Sequence, residues 1–255
     1  MTAMSAMTAM KAMIFAAGRG ERMRPLTDVT PKPLLSVGGK PIIVWQIEAL
    51  ARAGFTDIVI NHAWLGAQIE ASLGDGSAFG VRLTYSAEAE ALETAGGIVK
   101  ARAWLEGAGH VFLAVSGDVF TTFDYASLRP HAARMATQPE PGMHLVMVPN
   151  PPFHPKGDFA LDTTGRLHLP DAAPATAIPL TFGNIALYDL RLFDGIAPGT
   201  RMALTPLYQR SIAAGRASGE RFDGLWENVG TPAQLAELDA AVRARHDLAP
   251  GSRIA

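Results

Sequence analysis

Residues 13–33, MIFAAGRGERMRPLTDVTPKP, decide how the rest of the chain is read. Ala12 to Ala16 is a short apolar run of the kind that forms an interior strand. It leads straight into Ala17, Gly18 and Gly20, where the glycines let the backbone turn tightly and bring its N–H groups to a ligand. Arg19, Arg22, Arg24 and Lys32 follow, among Pro25, Pro31 and Pro33, which limit how far the loop can wander. Amides and guanidinium forks donating together suit an anion with several oxygens. Two familiar phosphate motifs do not fit. A dinucleotide fingerprint needs a third glycine where Met23 stands, and a P-loop needs Gly-Lys-Ser/Thr soon after Gly18. On the glycines alone, a surface turn with scattered arginines is the competing reading.

The remainder of the chain supplies an α/β frame for this loop. Its 255 residues suffice for one large domain, and 48% hydrophobic with 18% charged residues is a globular composition. A net charge of −2 provides no basic face for nucleic acid. The absence of cysteine excludes disulfides, thiolate metal sites and a cysteine nucleophile. Residues 1–12, MTAMSAMTAMKA, lack the basic-then-apolar order of a secretory signal, and no run is long enough to cross a membrane, so a cytoplasmic location is expected.

Pro41 opens a helical pattern with Ile43, Ile47 and Leu50, ended by Gly54. FTDIVI (55–60) is a strand that delivers Asn61 and His62 to its carboxyl end, where open α/β sheets bind ligands. His62 there either touches substrate or hydrogen-bonds to a loop. A helix over Leu65–Leu73 and an alternating strand over Val81–Tyr85 follow. Thr94 is a plausible N-cap for a helix carrying Ile98, Ala101 and Leu105. The pair Gly96-Gly97 in its first turn implies close approach of a nucleobase edge or of a packed strand. His110–Val115 is a very apolar strand ending in Ser116-Gly117-Asp118-Val119. A half-buried aspartate there calls for a counter-ion such as a divalent metal, or else caps the next turn.

Phe123–Met135 reads as a helix and Met143–Val148 as a strand. The proline-rich NPPFHPKGDF (150–159) leads to two short strands, FALD and RLHL, which read as a β-hairpin over the core. His154 and His168 have no metal-ligand spacing around them and are assigned to loop roles. TFGNIAL (181–187) is a strand interrupted at Gly183-Asn184, as a bulge or ligand contact would do. Leu204–Ala213 is helical, a short strand lies near Glu220–Phe222, and Trp226–Thr231 leads into a last helix. There Thr231 and Gln234 form a capping box around Pro232, and Leu235, Leu238 and Val242 form the apolar stripe.

Taken together, these pieces resemble the sugar-1-phosphate nucleotidylyltransferases over nearly the whole chain, Lys11 to about Ala240. AAGRGERMRPLTDVTPKPLL resembles the signature loop of that family, SGDV its metal-binding strand end and LETAGG its base-reading turn. Within the family, INHAWLG, YSAE, NPPFHPKGDFAL and WENVGT look most like the N-acetylmuramate-1-phosphate uridylyltransferases of peptidoglycan recycling. Mannose-1-phosphate guanylyltransferases share the loop, the YSxE stretch and a similar TAG turn.

The resemblance implies a single Rossmann-like α/β domain over 11–246, with a mostly parallel mixed sheet, helices on both faces and a small β-hairpin insertion over the substrate site. Residues 11–120 are expected to bind mainly nucleotide and 143–231 mainly sugar, between a flexible extension (1–10) and a tail (247–255). The implied partners are a nucleoside triphosphate and a sugar-1-phosphate, with Mg2+ as cofactor. Arg24, Lys32 and Asp118 are the implied catalytic residues. Ala17, Gly18, Gly20, Arg24, Glu88 and Gly96 are assigned to nucleotide and Gly157, Asp158 and Asn184 to sugar. Asp118 and Asn228 are assigned to the metal.

Asn228 departs from the family, which commonly has aspartate in this segment. An amide oxygen still ligates magnesium but brings no charge, so either the site works with one carboxylate, or Glu227 substitutes, or catalysis is weak. Alternation along a strand would turn Glu227 away from the Asn228 side. Besides uridylyl transfer, the alternatives are a guanylyltransferase for mannose 1-phosphate and a nucleotide-sugar sensor without turnover. A dehydrogenase is a more distant possibility.

Because a phosphate monoester is largely dianionic at neutral pH, no general base is required. Repulsion between the two anions is the obstacle, with Arg24 expected on the triphosphate and Lys32 on the incoming phosphate.

Overall fold

In the computed structural model, residues 10–107 and 109–247 are described. The expected extension and tail fall outside these residues, apart from Met10 and Asp247. The apolar run at the head of the chain is β1 (Ala12–Ala16), and it occupies the middle of a nine-stranded sheet. Parallel neighbours flank it: β4 (Asp57–His62) on one side and β6 (Val111–Ser116) on the other, with β5 (Arg82–Ala87) beyond β4. All four strands therefore point their carboxyl ends to one rim of the sheet.

On the far side of β6, the twelve-residue β11 (Ile178–Asp189) runs antiparallel. It also pairs with β8 (Met143–Val148), which in turn runs parallel to β12 (Ala217–Arg221). Its first residues pair with β9 (Phe159–Leu161), and β10 (Leu167–His168) completes the edge. The hairpin insertion thus continues the sheet at its margin. Register slips between Phe182 and Ala186, where Asn184 takes a left-handed φ of 55°. This is the interruption expected at Gly183-Asn184, and it splits β11 between the two halves of the sheet.

Helices cover both faces, after the one-turn α1 (Leu26–Val29) within the cationic loop. One cluster joins α2 (Ile42–Arg52), α3 (Gly66–Leu73) and α5 (Arg129–Ala136) to Ile14, Ile60, Leu113 and Leu187. The opposite cluster joins α4 (Glu93–Leu105) and α6 (Thr205–Ala213) to Met13, Val59, Phe112 and Leu145. Odd and even residues of the same strands feed different clusters, as a pleated sheet covered on both sides requires. A third, smaller cluster packs Leu238 and Val242 of α7 (Pro232–Asp247) on the β2 (Ser36–Val37) and β3 (Lys40–Pro41) hairpin. Among the described residues, no helix is long and apolar enough to cross a membrane.

Several local expectations are corrected. Pro41 ends β3 and caps α2, which begins at Ile42. Phe123 lies outside any helix: Asp124 caps a 3-10 turn at Tyr125–Leu128 by accepting from the Ala126 N–H, and α5 starts only at Arg129. Thr94 lies inside α4, and the Met202 carbonyl accepts from the N–H groups of Ala95 and Gly96 at 2.9 and 3.1 Å. Helix-end donors need a partner, and a distant backbone carbonyl provides it here in place of a side chain.

Candidate active site

The site begins with the parallel pairing of β1 and β6. Phe15 stands opposite Ser116, and the Gly117 N–H donates to the Phe15 carbonyl at 2.8 Å, so the two strand ends release their loops side by side. Ala17 and Gly18 come from one loop and Asp118 from the other. They line a cavity of about 290 Å3 with Lys32, Asn61, Thr94 and Arg201. A side chain at Gly18 would meet nothing within 4 Å, so the backbone is open to the cavity at that point. Gly20 has another task. Its φ of 68° makes the turn, and it packs against the Thr27 methyl group and the Lys32 stem.

Lys32, only 9% exposed, reaches across the cavity to form an ion pair with Asp118 Oδ2. The Ser116 hydroxyl donates to the other oxygen of Asp118 at 2.6 Å. Arg24 lies outside the cavity lining. Its side chain is exposed, and Nε donates to Asp28 Oδ1 at 2.9 Å. The Arg19 hydrogen bond, reinforced by the charge of Arg24, holds the Asp28 carboxyl below its usual range. Arg19 also stacks 3.7 Å over the Trp64 ring and donates to the Thr27 carbonyl. The cationic loop is thereby braced against its own acidic and aromatic residues.

At the far wall, Asn61 holds the cavity together from within. Its Oδ1 accepts from the Ala16 N–H at 3.2 Å and its Nδ2 donates to Glu88 Oε1 at 2.8 Å. The other oxygen of Glu88 accepts from the Leu92 N–H at 2.8 Å. Glu88 is 5% exposed, and Gly96 lies buried under the Thr200 carbonyl. A Cβ on Gly97 would stand 2.8 Å from Asn61 Nδ2 and 2.9 Å from Glu88 Oε1. The close approach implied by the paired glycines is therefore made by protein groups. His62, the last residue of β4, is buried and pairs with a helix, not a loop: Nε2 lies 2.7 Å from Glu70 Oε1 of α3, and its ring fills the space left by Gly66.

A second cavity of about 490 Å3 opens beside the hairpin, lined by Phe153, His154, Asp158, Phe159, Phe182, Asn184, Tyr208, Trp226 and Asn228. Asp158 is fixed by two contacts: Oδ2 accepts from the Phe182 N–H at 2.8 Å and Oδ1 lies 3.1 Å from His154 Nε2. Gly157, at φ 66°, makes the preceding turn and packs on the Leu180 carbonyl behind the lining. Burial pushes the hydroxyls of Tyr188 and Tyr208 well above the usual phenol range, and the two bond to each other at 2.6 Å.

The cavities are linked by two short antiparallel strands, β7 (Val119–Thr121) and β13 (Trp226–Asn228). Asn228 pairs with Val119, and the Val229 N–H donates to the Asp118 carbonyl at 3.3 Å. Adjacent backbones thus carry Asp118 to one cavity and Asn228 to the other. The Oδ1 atom of Asn228 is buried and has no hydrogen-bond partner. Alternation turns Glu227 to the opposite face, where burial and the nearby Glu237 raise its pKa. Glu227 therefore does not take the place of the family aspartate. One carboxylate with unused lone pairs and one unpartnered amide oxygen are hard oxygen donors, and this set fits magnesium.

A family model described as nucleotidyl transferase matches residues 11–152. The chain belongs to the nucleotidyl transferase family. It is 49% identical over 237 residues to the N-acetylmuramate alpha-1-phosphate uridylyltransferase of Neisseria meningitidis serogroup B, covering 91% of this chain and 97% of that one. Identity to the Caulobacter vibrioides protein of the same description is 35% over 240 residues, covering 91% and 96%. A solved putative glucose-1-phosphate thymidylyltransferase from Bacillus anthracis has the same fold, with a TM-score of 0.74 at 24% identity over 95% of this chain and 98% of that one.

In this nucleotidyl transferase, Ala17, Gly18, Lys32 and Asp118 come together at the first cavity, and Asp158, Asn184 and Asn228 at the second. Gly20, Gly157, Glu88 and Gly96 stand behind the walls and Arg24 outside them. Sequence reasoning missed Asn61 as a brace, Arg201 on the wall of the first cavity, and Trp226 and Tyr208 on that of the second. Asn61 had a signal, as the last-but-one residue of a buried strand. Arg201 had none, because only the loop that also caps α4 brings it there, beside Glu93 at 3.2 Å.

Proposed function

We propose that this enzyme transfers UMP from UTP to N-acetylmuramate 1-phosphate, giving the nucleotide sugar and pyrophosphate. The observation that carries the reading is that adjacent, paired backbones carry Asp118 to one cavity and Asn228 to another, the first floored by a phosphate-type loop and the second walled by aromatic rings. Such rings offer apolar faces to a sugar, and Asp158 and Asn184 offer hydrogen bonds to its hydroxyl and amide groups. We assign residues 11–120 mainly to nucleotide and 143–231 mainly to sugar, with Arg201 reaching back to the nucleotide side. A need for UTP places the enzyme in the cytoplasm.

In this mechanism the sugar phosphate oxygen attacks the α-phosphorus in line, and pyrophosphate leaves. Lys32, already at the Asp118 carboxylate, draws the incoming phosphate towards the reacting centre. The amides of Ala17 and Gly18 face the triphosphate, and Arg24 and Arg201 close on it from the rim. Asp118 and Asn228 would hold magnesium, which supplies charge neutralisation on the phosphate oxygens. Glu88 and Gly96 shape the base end by fixing Asn61 and the start of α4. Positioning and charge carry such transfers without a general base.

A matrix of four nucleoside triphosphates against several sugar-1-phosphates, read by pyrophosphate release, tests the reading. The highest kcat/KM is expected for UTP with N-acetylmuramate 1-phosphate. Preference for GTP with mannose 1-phosphate, the substrate named for a Schizosaccharomyces pombe relative 37% identical over 88% of this chain, would replace it. Binding without turnover across the whole matrix would favour the sensor.

A further inference from the structure

A second polar cluster lies away from this site. His144 is near the amino end of β8, opposite the rim that carries Asp118, and is 1% exposed. It faces His131 of α5 and Glu220 of β12. Ligand atoms of these three residues lie within 4.8 Å of one another, with Glu220 oxygens 3.9 Å from Nε2 of each histidine. Nε2 of His144 and Oε1 of Glu220 are both buried and have no hydrogen-bond partner. With the proton of His144 on Nδ1, Nε2 is a buried lone pair facing a buried carboxylate oxygen, which is unfavourable unless a cation lies between them.

We propose that His131, His144 and Glu220 form a binding site for a divalent first-row transition metal, with zinc as the expected ion, separate from the magnesium site. Two imidazoles and one carboxylate favour zinc, cobalt or nickel over magnesium. The tautomer needed at His144 is already supported. Nδ1 lies 2.8 Å from the Ser218 hydroxyl, which can accept a hydrogen bond from Nδ1–H, the tautomer that leaves Nε2 as a lone pair.

The two rings stack with centroids 3.9 Å apart, an arrangement that disfavours two imidazolium charges. Burial and the neighbouring His144 lower the pKa of His131 in the same sense, with Arg134 assisting and Glu220 opposing. Donors on one tetrahedral zinc stand about 3.3 Å apart, so ligand-atom spacings that now reach up to 4.8 Å must close. His131 is the ligand placed to move, because it sits on a half-exposed helical surface. Arg134, exposed and donating to His131 Nδ1 at 2.8 Å, must turn outward as the proton shifts to that nitrogen. A fourth position faces the cavity of about 400 Å3 that His131 and Ser218 help to line, where water or an anion completes the set.

The test is zinc titration of the tag-free, chelator-treated full chain in saturating magnesium, followed by cobalt substitution. One equivalent of zinc should bind, and cobalt should give the visible absorption of a tetrahedral site. His131→Ala and Glu220→Gln should each weaken zinc by about 100-fold or more and abolish the cobalt bands. Arg134→Ala should tighten binding. Metal-free thermal unfolding of His131→Ala, expected to match wild type, separates a lost ligand from a lost fold. Wild-type binding no tighter than that of the two ligand variants, or tight binding that survives in both, would overturn the site.

Discussion

The Asn61–Glu88 pair permits a prediction whose sign is set by hydrogen-bond polarity. Both oxygens of Glu88 accept from buried donors, one from Asn61 Nδ2 and one from the Leu92 N–H. Glu88→Gln keeps the shape but turns one acceptor into a donor, so one donor faces another. Flipping Asn61 gives no escape, because its oxygen already accepts from the Ala16 N–H. A buried unsatisfied donor costs about 1–3 kcal/mol, and about 2 kcal/mol in a chain of this size lowers Tm by roughly 4–8 °C. Asn61→Asp alone would place two carboxylates together and should be worse. The double variant Asn61→Asp with Glu88→Gln reverses the polarity of the pair: the new carboxylate accepts from Ala16 and from the new amide, whose oxygen accepts from Leu92. Differential scanning calorimetry of the four proteins should show each single variant destabilised and the double variant recovering most of the loss. Additive losses in the double variant, or an unchanged Tm in Glu88→Gln, would refute the assigned polarity.

Other consequences are direct. Lys32→Ala should lower kcat/KM for pyrophosphate release by about 100-fold or more, as loss of a preorganised charged donor does, with a smaller change in UTP binding by calorimetry. Asn228→Asp should retain or raise activity and shift the magnesium dependence to lower concentration; a large loss would assign the amide a different role. Gly66→Ala should destabilise by about 1–3 kcal/mol, since its Cβ would overlap the buried His62 ring, and urea midpoints measure this. Glu227 has a raised pKa in the folded state, so folding favours its protonated form and stability falls as pH rises through the range above its ordinary 4.5. Glu227→Gln should therefore give a small gain in Tm at pH 7 that disappears well below pH 4.5.

Much of this architecture is readable in order along the chain, because the features that specify it are local. Short apolar runs that lead into glycine mark β1 and β6, and an aspartate just past an apolar strand is conspicuous wherever it occurs. Proline and glycine bounded the elements correctly around Pro41 and Gly54, to within a residue or two. The failures are of another kind. Thr94 has the chemistry of an N-cap, but the Met202 carbonyl arrives from over a hundred residues away to do that work. The position of Arg24 was not legible either: it leans on Asp28, four residues along, so it stands outside the cavity lining. His131, His144 and Glu220 share no spacing that a motif would detect, because a helix and two strands of the sheet bring them together. The alternation argument for Glu227 held because it needed only the period of a strand.

The central claim is that Asp118, gripped by Lys32 and Ser116, stands where the nucleotide and sugar phosphates meet. Its most direct test is the rate of nucleotide-sugar and pyrophosphate formation from UTP and N-acetylmuramate 1-phosphate, wild type against Asp118→Ala, at saturating magnesium. The account predicts equimolar products from wild type and a loss of about 100-fold or more in the variant, with the fold intact by circular dichroism. Near-equal rates for the two proteins would contradict it.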